Sequence, residues 1–380
     1  MNVVIKEVTN KRDLRKFVKF NIDLYKDSPY HVPGLIDEEM ITLNRKKNPA
    51  FEICDAIYFL AYKEGRIVGR IAGMVNHRSN EVWEQKSARF GFVDFIDDDE
   101  VVDALFQAVE KWAKEQGMEQ LHGPLGFTDL DHEGMLIHGF DQLGTMATIY
   151  NYPYYPQQLE RLGYQKAQDW KEYKIYIPGE VPEKHLRIGE IVKKKYGLKT
   201  VKFKKRKDIW PYAHKIFHAL NAAYMPLYGF APLTDKQIDY YVNMYIPMLR
   251  LDFITVIVRE EDDGVVGFGI TLPNLSHVLK KAKGHLFPFG FIPLLKALKS
   301  KPKVVDLYLT GVLPEYQGKG VNALLFNDLI PVYNKMGTEY AETNPELETN
   351  NAVQAQWDYF KREHHKTRRA YRKDLTTNNA

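Results

Sequence analysis

The sequence predicts an α/β fold made of two copies of one unit, each a mixed, mostly antiparallel sheet flanked by helices. Three observations predict it: a hairpin pattern that occurs twice, a helix pattern that aligns between the halves, and a similar closing strand in each half. A chain of 380 residues is long enough for two domains. The proline-containing stretch "IPGEVPEKH" favours a boundary that separates residues 1–178 from residues 179–380.

The first repeated element is a β-hairpin. "AIYFLAYKEGRIVGRIAGMVN" (Ala56–Asn76) and "DFITVIVREEDDGVVGFGITLPN" (Asp252–Asn274) both alternate apolar and polar residues around a turn ending in glycine. Two such runs separated by a glycine turn are typical of a hairpin. In both copies a Val-Gly step follows the turn, which supports a common origin.

The second repeated element is a helix. The runs 101–118 and 321–338 align without a gap, so that Leu105 matches Leu325 and Phe106 matches Phe326. Each run ends near a glycine, the residue that commonly follows the last helical turn. Pro331 lies inside the second run and predicts a kink or an early stop there.

Each half closes with further matching elements. Short strands are expected at 119–124 and 339–345, and each is followed by a helix that contains aromatic residues. The basic strands "WKEYKIYI" (170–177) and "RRAYRKDL" (368–375) are then expected to complete the first and second half.

Composition bounds the class of protein. The net charge is +4, far from that of a nucleic-acid-binding arm, and Cys54 is the single cysteine, which excludes an internal disulfide framework. Charges occupy the first residues where a signal peptide would need an apolar core. The apolar stretch Leu286–Leu295 is too short to span a bilayer and holds two prolines. We therefore expect a cytoplasmic protein with no membrane span and a buried Cys54.

A glycine-rich loop distinguishes the two copies. In "LPEYQGKGVNALL" (Leu313–Leu325) the quartet at 317–320 aligns with the four acids at 97–100, and both quartets stand at the start of a helix. Exposed N–H groups, the helix dipole and Lys319 predict an anion cradle suited to a pyrophosphate. The acids would instead cap their own helix and repel a phosphate.

Two other phosphate loops fit the sequence less well. A P-loop requires Gly-Lys-Ser/Thr, but Lys319 is followed by Gly320. The dinucleotide fingerprint matches Gly318, Gly320 and Ala323, with Glu339 or Glu342 near the position of the ribose acid. Its first glycine should directly follow the strand, however, and Leu313–Gln317 intervene.

The loop resembles the acyl-CoA loop of the GNAT superfamily of N-acetyltransferases, whose pattern is Q/R-x-x-G-x-G/A. Gln317 and Gly320 match the pattern, and Asn322 replaces the usual small residue. The order of elements resembles the whole GNAT fold, and in particular the bacterial tandem GNAT proteins with a degenerate first copy. The resemblance implies acyl transfer, most simply acetyl transfer from acetyl-CoA to a primary amine, with the first half shaping the acceptor pocket.

The resemblance also implies the site residues. Asp306 stands where some members carry a catalytic glutamate, Glu342 is a second candidate base, and Tyr359 would protonate the leaving thiolate unless the register places Trp357 there. Asp306 as a plain strand residue and the asparagines at 350 and 351 as plain helix caps remain alternatives. The cofactor would be held by Val312, Leu313, Gln317, Gly318, Lys319, Gly320, Val321, Asn322, Ala323, Asn350 and Asn351.

Other segments leave alternatives open. The stretches 123–141 and 148–159, rich in carboxylates and tyrosines, could receive a cationic amine or could form a core edge and a solvated loop. The insertion Ser276–Lys303 could be a lid, a membrane contact or a helical hairpin packed on its own domain. The basic run 202–207 lacks interleaved aromatics, so no nucleic-acid partner is expected. His132 and His138 lack metal-ligand spacing, so no metal is expected.

Three functions therefore stay in view. The first is an acyl-CoA-dependent N-acyltransferase acting on a small-molecule or peptide amine. The second is an aminoacyl transferase of the Fem type, which would use tRNA and need the basic runs. The third is a non-catalytic CoA sensor or scaffold. A monomer that forms an internal pseudo-dimer is compatible with all three.

Overall fold

A computed structural model describes residues 2–376. Within that range the chain is a mixed α/β protein, as the sequence predicts. The strands are β1 (Val4–Glu7), β2 (Cys54–Lys63), β3 (Arg66–Asn76), β4 (Ser87–Phe95), β5 (Gln120–Gly123), β6 (Met135–His138), β7 (Gln165–Tyr176), β8 (Leu198–Val201), β9 (Ile254–Arg259), β10 (Val265–Pro273), β11 (Val304–Val312), β12 (Tyr340–Thr343), β13 (Glu346–Leu347) and β14 (Arg362–Asp374).

The α-helices pack on these strands. They are α1 (Lys11–Leu24), α2 (Ile36–Thr42), α3 (His77–Val82), α4 (Asp99–Glu115), α5 (Tyr154–Arg161), α6 (Glu183–Tyr196), α7 (Trp210–Tyr224), α8 (Asp235–Tyr245), α9 (Ser276–Ala282), α10 (Phe291–Lys299), α11 (Asn322–Met336) and α12 (Asn351–Ala355). Short 3-10 helices connect several of them, including Pro314–Tyr316 and Gln356–Tyr359.

The first compact unit comprises the chain up to Lys171, the segment Ser276–Phe291 and the chain from Lys366 onward. Its strands follow the order β1-β2-β3-β4-β5-β14, with β2 and β3 forming the expected antiparallel hairpin and β4 and β5 parallel. Helix α4 covers this sheet with buried apolar residues, among them Leu105 and Phe106. Cys54 is buried, as expected, and burial raises the pKa of its thiol to about 12.

The second compact unit comprises Glu172–Leu275 and Ile292–His365. Its strands follow the order β8-β9-β10-β11-β12-β7, with β9 and β10 forming the second expected hairpin and β11 and β12 parallel. Helix α11 packs on β9 and β10. Helices α7 and α8 pack on each other, and α7 contacts β10 and β11.

The closing strands are exchanged relative to the expectation. The end of β7 pairs with β12, in register Tyr176↔Tyr340, and the end of β14 pairs with β5, in register Tyr371↔Gly123. Each sheet is thus completed by a strand from the other half of the chain. Both closing strands are basic and contain tyrosine, so their local sequence could not tell which edge each would join. The compact units differ accordingly from the division into 1–178 and 179–380, and they assign the inserted segment 276–291 to the first unit.

The two matched helices form where the sequence predicts. Gly117 and Gly337 follow them with φ of 74° and 73°, the left-handed conformation expected after a helix. The early stop at Pro331 is wrong, because α11 continues to Met336. None of the helices in the described part of the chain is long and apolar enough to cross a membrane.

Candidate functional site: an open strand edge and a loop of free amides

Strands β11 and β12 separate partway along their length. They pair in parallel from Val304↔Tyr340 to Leu307↔Thr343, but β11 runs on to Val312 without β12 beside it. At the point where the strands part, the side-chain amide of Asn344 donates to the backbone carbonyl of Tyr308 at 2.6 Å. Because Leu313 N–H bonds back to Val266 at 2.8 Å, the neighbouring Val312 N–H faces away from β10. On that side no strand of the described residues pairs with Val312, because β12 ends at Thr343.

A β-bulge redirects the side chains of β11 at this point. Ile270 faces Leu309 and Thr271 faces Leu307, so Tyr308 is the extra residue. Leu307 and Thr310 therefore line an apolar cavity under α11, while Tyr308 and Leu309 line a second one under α7 and α8. The opened strand thus has an apolar cavity on each face.

The glycine loop leads from this edge into α11. Gly318 and Gly320 have φ of 69° and 80°, a conformation that other residues adopt only with strain. A Cβ on Gly320 would also lie 2.7 Å from Ile188 Cγ2. Among residues 2–376, no acceptor is hydrogen-bonded to the N–H groups of Gly318, Gly320, Val321 or Asn322. These four N–H groups form the amide cradle, at the positive end of the α11 dipole.

Lys319 adds a positive charge beside the amide cradle. Its Nζ lies 5.3 Å from the ring centroid of Tyr196 and 5.6 Å from that of Tyr316. It forms no ion pair with the carboxylates of the described residues. An exposed cation, free amides and a helix N-terminus without a capping acid fit the phosphates of a nucleotide-containing cofactor.

Some predicted cofactor contacts need correction. The N–H groups of Leu313, Gln317, Lys319 and Ala323 are bonded to nearby backbone carbonyls, so these four amides are not available. The Gln317 side chain folds back onto the Val312 carbonyl at 2.9 Å. Only the Val312 N–H and the four amides of the cradle stay free.

The asparagines of the prediction are used within the protein. Asn322, the departure from the family pattern, turns its side chain to Gln356 at 3.3 Å rather than into the loop. Asn350 caps α12 by accepting from the N–H of Val353 at 3.3 Å, the plain capping role, and Asn351 is exposed at the start of that helix. Contact of Asn350 and Asn351 with a cofactor stays a prediction.

The two candidate bases lie side by side. Asp306 on β11 and Glu342 on β12 are direct register partners, and both are buried. Asn274 donates to Asp306 at 2.8 Å, and Glu342 lies 3.9 Å from His365 Nε2. Because strand side chains alternate, Asp306 faces away from Leu307 and therefore away from the cavity under α11.

The candidate acid Tyr359 lies in the 3-10 helix Gln356–Tyr359 and is 51% exposed. Its hydroxyl accepts from Lys184 Nζ at 2.6 Å. Trp357, two residues earlier, lines the cavity under α11. The register that the sequence left open thus places Trp357, and not Tyr359, on the cavity wall.

One carboxylate was not singled out from the sequence. Glu346 follows the point where the strands part, and Trp357 Nε1 donates to both of its oxygens, at 2.8 and 3.1 Å. Burial raises the pKa of Glu346 to about 8. The tripeptide Asn344-Pro345-Glu346 directly after a strand is the only sequence signal that could have drawn attention to it.

The corresponding helix start in the first unit is filled. Asp98 caps α4 by accepting from Val101 N–H at 3.3 Å and binds Lys63 at 2.5 Å. The hydrogen bond from Lys63 is the main cause that lowers the pKa of Asp98. The strand edge is filled as well. The Phe95 N–H donates to the Tyr155 hydroxyl at 2.9 Å, and the Phe95 carbonyl accepts from the Tyr154 hydroxyl at 2.7 Å.

The tyrosine-rich stretch of the first unit is mainly core. Tyr150 and Tyr155 are buried, and Tyr25 lies against Tyr150 and hydrogen-bonds the Tyr155 hydroxyl at 2.6 Å. Among the described residues, possible metal ligands cluster at His214, His218 and Asp235, whose ligand atoms lie within 4.8 Å of one another. This cluster is distinct from His132 and His138, the pair that lacks metal-ligand spacing in the sequence.

Comparison with known proteins gives two full-length relatives and several similar structures, whereas no family model matches the chain. Protein YghO of Escherichia coli (strain K12) is 29% identical over 380 residues, covering 98% of this chain and 95% of the relative. The bacterial ceramide synthase of Caulobacter vibrioides is 28% identical over 377 residues, covering 97% and 96%.

Among solved structures, a tandem GNAT protein from the clavulanic acid biosynthesis pathway matches with a TM-score of 0.56 at 12% identity, over 100% of both chains. A GCN5-related N-acetyltransferase from Sphaerobacter thermophilus matches with a TM-score of 0.51 at 12% identity, over 98% of this chain and 96% of that one. With its duplicated hairpins, its opened strand and its glycine loop, the chain has the fold of the tandem GNAT acetyltransferases.

Proposed function

We propose that this protein is an acyl-CoA-dependent N-acyltransferase whose active site lies in the second unit. The observation that carries the proposal is the amide cradle beside Lys319, adjacent to an open strand edge with a free Val312 N–H. A pyrophosphate matches the cradle in charge, and an extended pantetheine arm can hydrogen-bond a strand edge as another strand would.

The protein's own groups have separate tasks in this proposal. An acyl-CoA supplies an activated thioester. The cradle and Lys319 bind its phosphates, and Val312 N–H orients the arm along β11. A backbone N–H that meets the negative charge developing on the acyl oxygen is worth roughly 10²–10³ in rate. Trp357 and the apolar residues under α11 exclude water from the thioester.

The acceptor amine must lose a proton to a base. Asp306, acting through a water, and Glu342 are proposed from their register on β11 and β12. Glu346 joins them, because burial raises its pKa to about 8 and its ionised form, populated as the pH rises toward that value, can accept a proton. Trp357 and not Tyr359 lies on the cavity wall, and the exposed Tyr359 hydroxyl is held by Lys184, so Tyr359 is not proposed as the donor to the leaving thiolate.

Acyl length separates two versions of the proposal. The resemblance found in the sequence points to acetyl-CoA. The apolar cavity under α11, lined by Leu325, Phe326, Leu329 and Ile330, favours a longer acyl chain. One full-length relative is named a ceramide synthase, and a ceramide is an N-acylated long-chain amine. The second apolar cavity, under α7 and α8, suits an acceptor with an apolar tail. The role of residues 1–178 in the acceptor pocket stays a prediction.

Thermal unfolding with a series of acyl-CoAs tests the proposal. A bound acyl-CoA at a hundredfold excess over its dissociation constant should stabilise the protein by about 2.7 kcal/mol. The acyl length that gives the largest shift then identifies the donor, and release of free CoA thiol in the presence of primary amines, from short ones to long-chain ones, measures turnover. No stabilisation by any acyl-CoA would refute the proposal and favour transfer from aminoacyl-tRNA. If acyl-CoA binds but no amine is acylated, the result would favour a non-catalytic CoA sensor.

The pH–rate profile tests the base. If Glu346 accepts the proton, kcat/KM should rise with pH up to about 8, the pKa to which burial raises this carboxyl. In Glu346→Gln that rise should disappear while acyl-CoA binding is retained. A pH–rate profile that is unchanged in Glu346→Gln would mean that Asp306 or Glu342 is the base. The profiles of Asp306→Asn and Glu342→Gln would then show which of the two accepts the proton.

A further inference from the structure

The segment Ser276–Lys303 has an unusual composition. Its 28 residues include seven lysines and no acidic residue. Four of its apolar side chains are exposed: Phe287 and Phe289 are each 71% exposed, Ile292 is 53% exposed and Leu295 is 49% exposed. Large apolar side chains scattered singly over a surface need no explanation, but four within nine residues do.

The exposed side chains are not needed to hold the segment in place. In the first unit, Leu279 is buried and the Gly284 carbonyl accepts from the N–H of Ile36 at 3.0 Å. In the second unit, Leu294 and Leu298 bury the inner face of α10, each 8% exposed. The segment therefore has one apolar set that packs on the protein and a separate apolar set that faces solvent.

The lysines around the apolar side chains are also exposed. Lys281 and Lys283 precede Phe287, and Lys296 and Lys299 follow Leu295. None of these four forms an ion pair with a carboxylate of the described residues. Their charge is therefore available to a partner, and the partner that the charge complements is anionic.

We propose that the segment 286–295, with its flanking lysines, docks the protein on the surface of an anionic lipid bilayer. Aromatic and aliphatic side chains would enter the boundary between headgroups and acyl chains, while the lysine ammonium groups would stay at the level of the phosphates. A protein partner would have to supply both an apolar pocket and a dense acidic rim, whereas an anionic bilayer offers both everywhere. Since the described part of the chain has no helix that could span a membrane, the contact would be peripheral and reversible.

This inference goes beyond the proposed acyl transfer and does not depend on it, because lipid binding needs neither CoA nor an acceptor. If both are correct, docking would place the protein where long-chain amines and acyl-CoAs collect. The two can fail separately, since one is measured with vesicles and the other with soluble acyl-CoA.

Co-sedimentation with lipid vesicles tests the proposal. The full chain should bind vesicles of phosphatidylcholine mixed with phosphatidylglycerol, bind vesicles of phosphatidylcholine alone more weakly, and lose the difference at high salt. Phe287→Ser combined with Phe289→Ser should lower partitioning to both vesicles by about tenfold or more, because two phenylalanines no longer leave water. Lys281→Gln combined with Lys283→Gln should lower only the anionic component, by about fivefold per lysine.

The matched control is Leu186→Ser combined with Ile191→Ser, which removes two exposed apolar side chains from α6. It should leave partitioning unchanged. The proposal is overturned if the wild-type protein binds neither vesicle, or if the phenylalanine variant binds as well as the wild type. It is also overturned if the phenylalanines mediate self-association in solution without any vesicle binding, since the occupant of this surface would then be a second copy of the chain.

Discussion

The starts of helices α4 and α11 occupy the same place in two copies of one fold but differ in their charge and in the hydrogen bonding of their N–H groups. Gly69 faces Phe95 in the first unit as Gly267 faces Val312 in the second, and the next residue bonds back to a valine carbonyl in both. In the first unit the outward groups of Phe95 are held by two tyrosine hydroxyls. In the second unit the Val312 N–H is free.

The helix starts differ in the same direction. Asp98 satisfies an N–H at the start of α4 and is itself paired with Lys63, so the positive pole of the helix is neutralised from within the protein. The start of α11 has glycines in place of acids and leaves four N–H groups unbonded. The same backbone thus gives a closed structural element in one copy and a potential phosphate site in the other.

The largest expected effect comes from making the second copy resemble the first. Gly320→Asp places a carboxylate in the amide cradle, and its Cβ meets Ile188. We expect complete loss of acyl-CoA-dependent stabilisation, about 2.7 kcal/mol at a hundredfold ligand excess, measured by thermal unfolding. Gly320→Ala is the control, because it introduces the same backbone strain without the charge. If acyl-CoA stabilises Gly320→Asp as much as the wild type, the amide cradle is not part of the acyl-CoA site.

The next effect is on the filled edge of the first unit. Tyr155→Phe leaves the buried N–H of Phe95 without its partner, and it also breaks the hydrogen bond to Tyr25. A buried, unsatisfied donor costs about 1–3 kcal/mol, measured as a fall in the free energy of unfolding in denaturant. Tyr152→Phe, a half-buried neighbour, should change that free energy by less than about 0.5 kcal/mol. Equal losses in the two variants would mean that the hydroxyl of Tyr155 does not hold the edge.

A smaller effect is expected at the cap of α4. Asp98→Ala should cost about 1 kcal/mol of unfolding free energy near neutral pH, because an N-cap is lost. Since its hydrogen bond with Lys63 lowers the pKa of Asp98, the contribution is present above the unfolded-state value near pH 4 and is lost as the pH falls through the lowered folded-state value. The difference between variant and wild type should therefore shrink in acid. Gln107→Ala, which removes an exposed side chain without charge from the same helix, should show no such pH dependence.

The smallest effect is expected for Lys319→Ala. An exposed cation contributes about 0.2–1 kcal/mol to an ion pair, so acyl-CoA binding should weaken by at most about fivefold, measured by titration, and more at low salt than at high salt. Lys335→Ala, on the last turn of the same helix, should leave affinity unchanged. If Lys319→Ala lost more acyl-CoA affinity than Gly320→Asp, the lysine and not the amide cradle would supply most of the binding free energy.

Local patterns predicted most of the elements. The hairpins, α4, α11 and their glycine caps follow from alternation, periodicity and turn residues, which act over a few neighbouring positions. The sequence also predicts the contrast between the acids at 97–100 and the glycines at 318 and 320, because both groups lie at helix starts. The sequence does not predict that the Gln317 N–H bonds the Pro314 carbonyl, since this hydrogen bond depends on how tightly one turn closes.

Long-range features could not be predicted. The filling of the first strand edge by Tyr154 and Tyr155 joins residues about sixty positions apart, and a tyrosine-rich stretch has no local sign of what its hydroxyls bond. The raised pKa of Glu346 comes from its burial, against the lowering effect of the hydrogen bond from Trp357, and sequence spacing encodes neither. The exchange of the closing strands β7 and β14 is also a long-range feature that local sequence patterns do not predict.

That exchange has a consequence for how the protein could have evolved. A chain cut near residue 178 would leave the first half without a partner for β5 and the second without a partner for β12, so each would expose a raw sheet edge prone to pairing with other chains. Deletion of the first half would therefore remove the strand that pairs with β12. The first half supplies the strand that completes the second sheet, whether or not its own helix start binds a ligand.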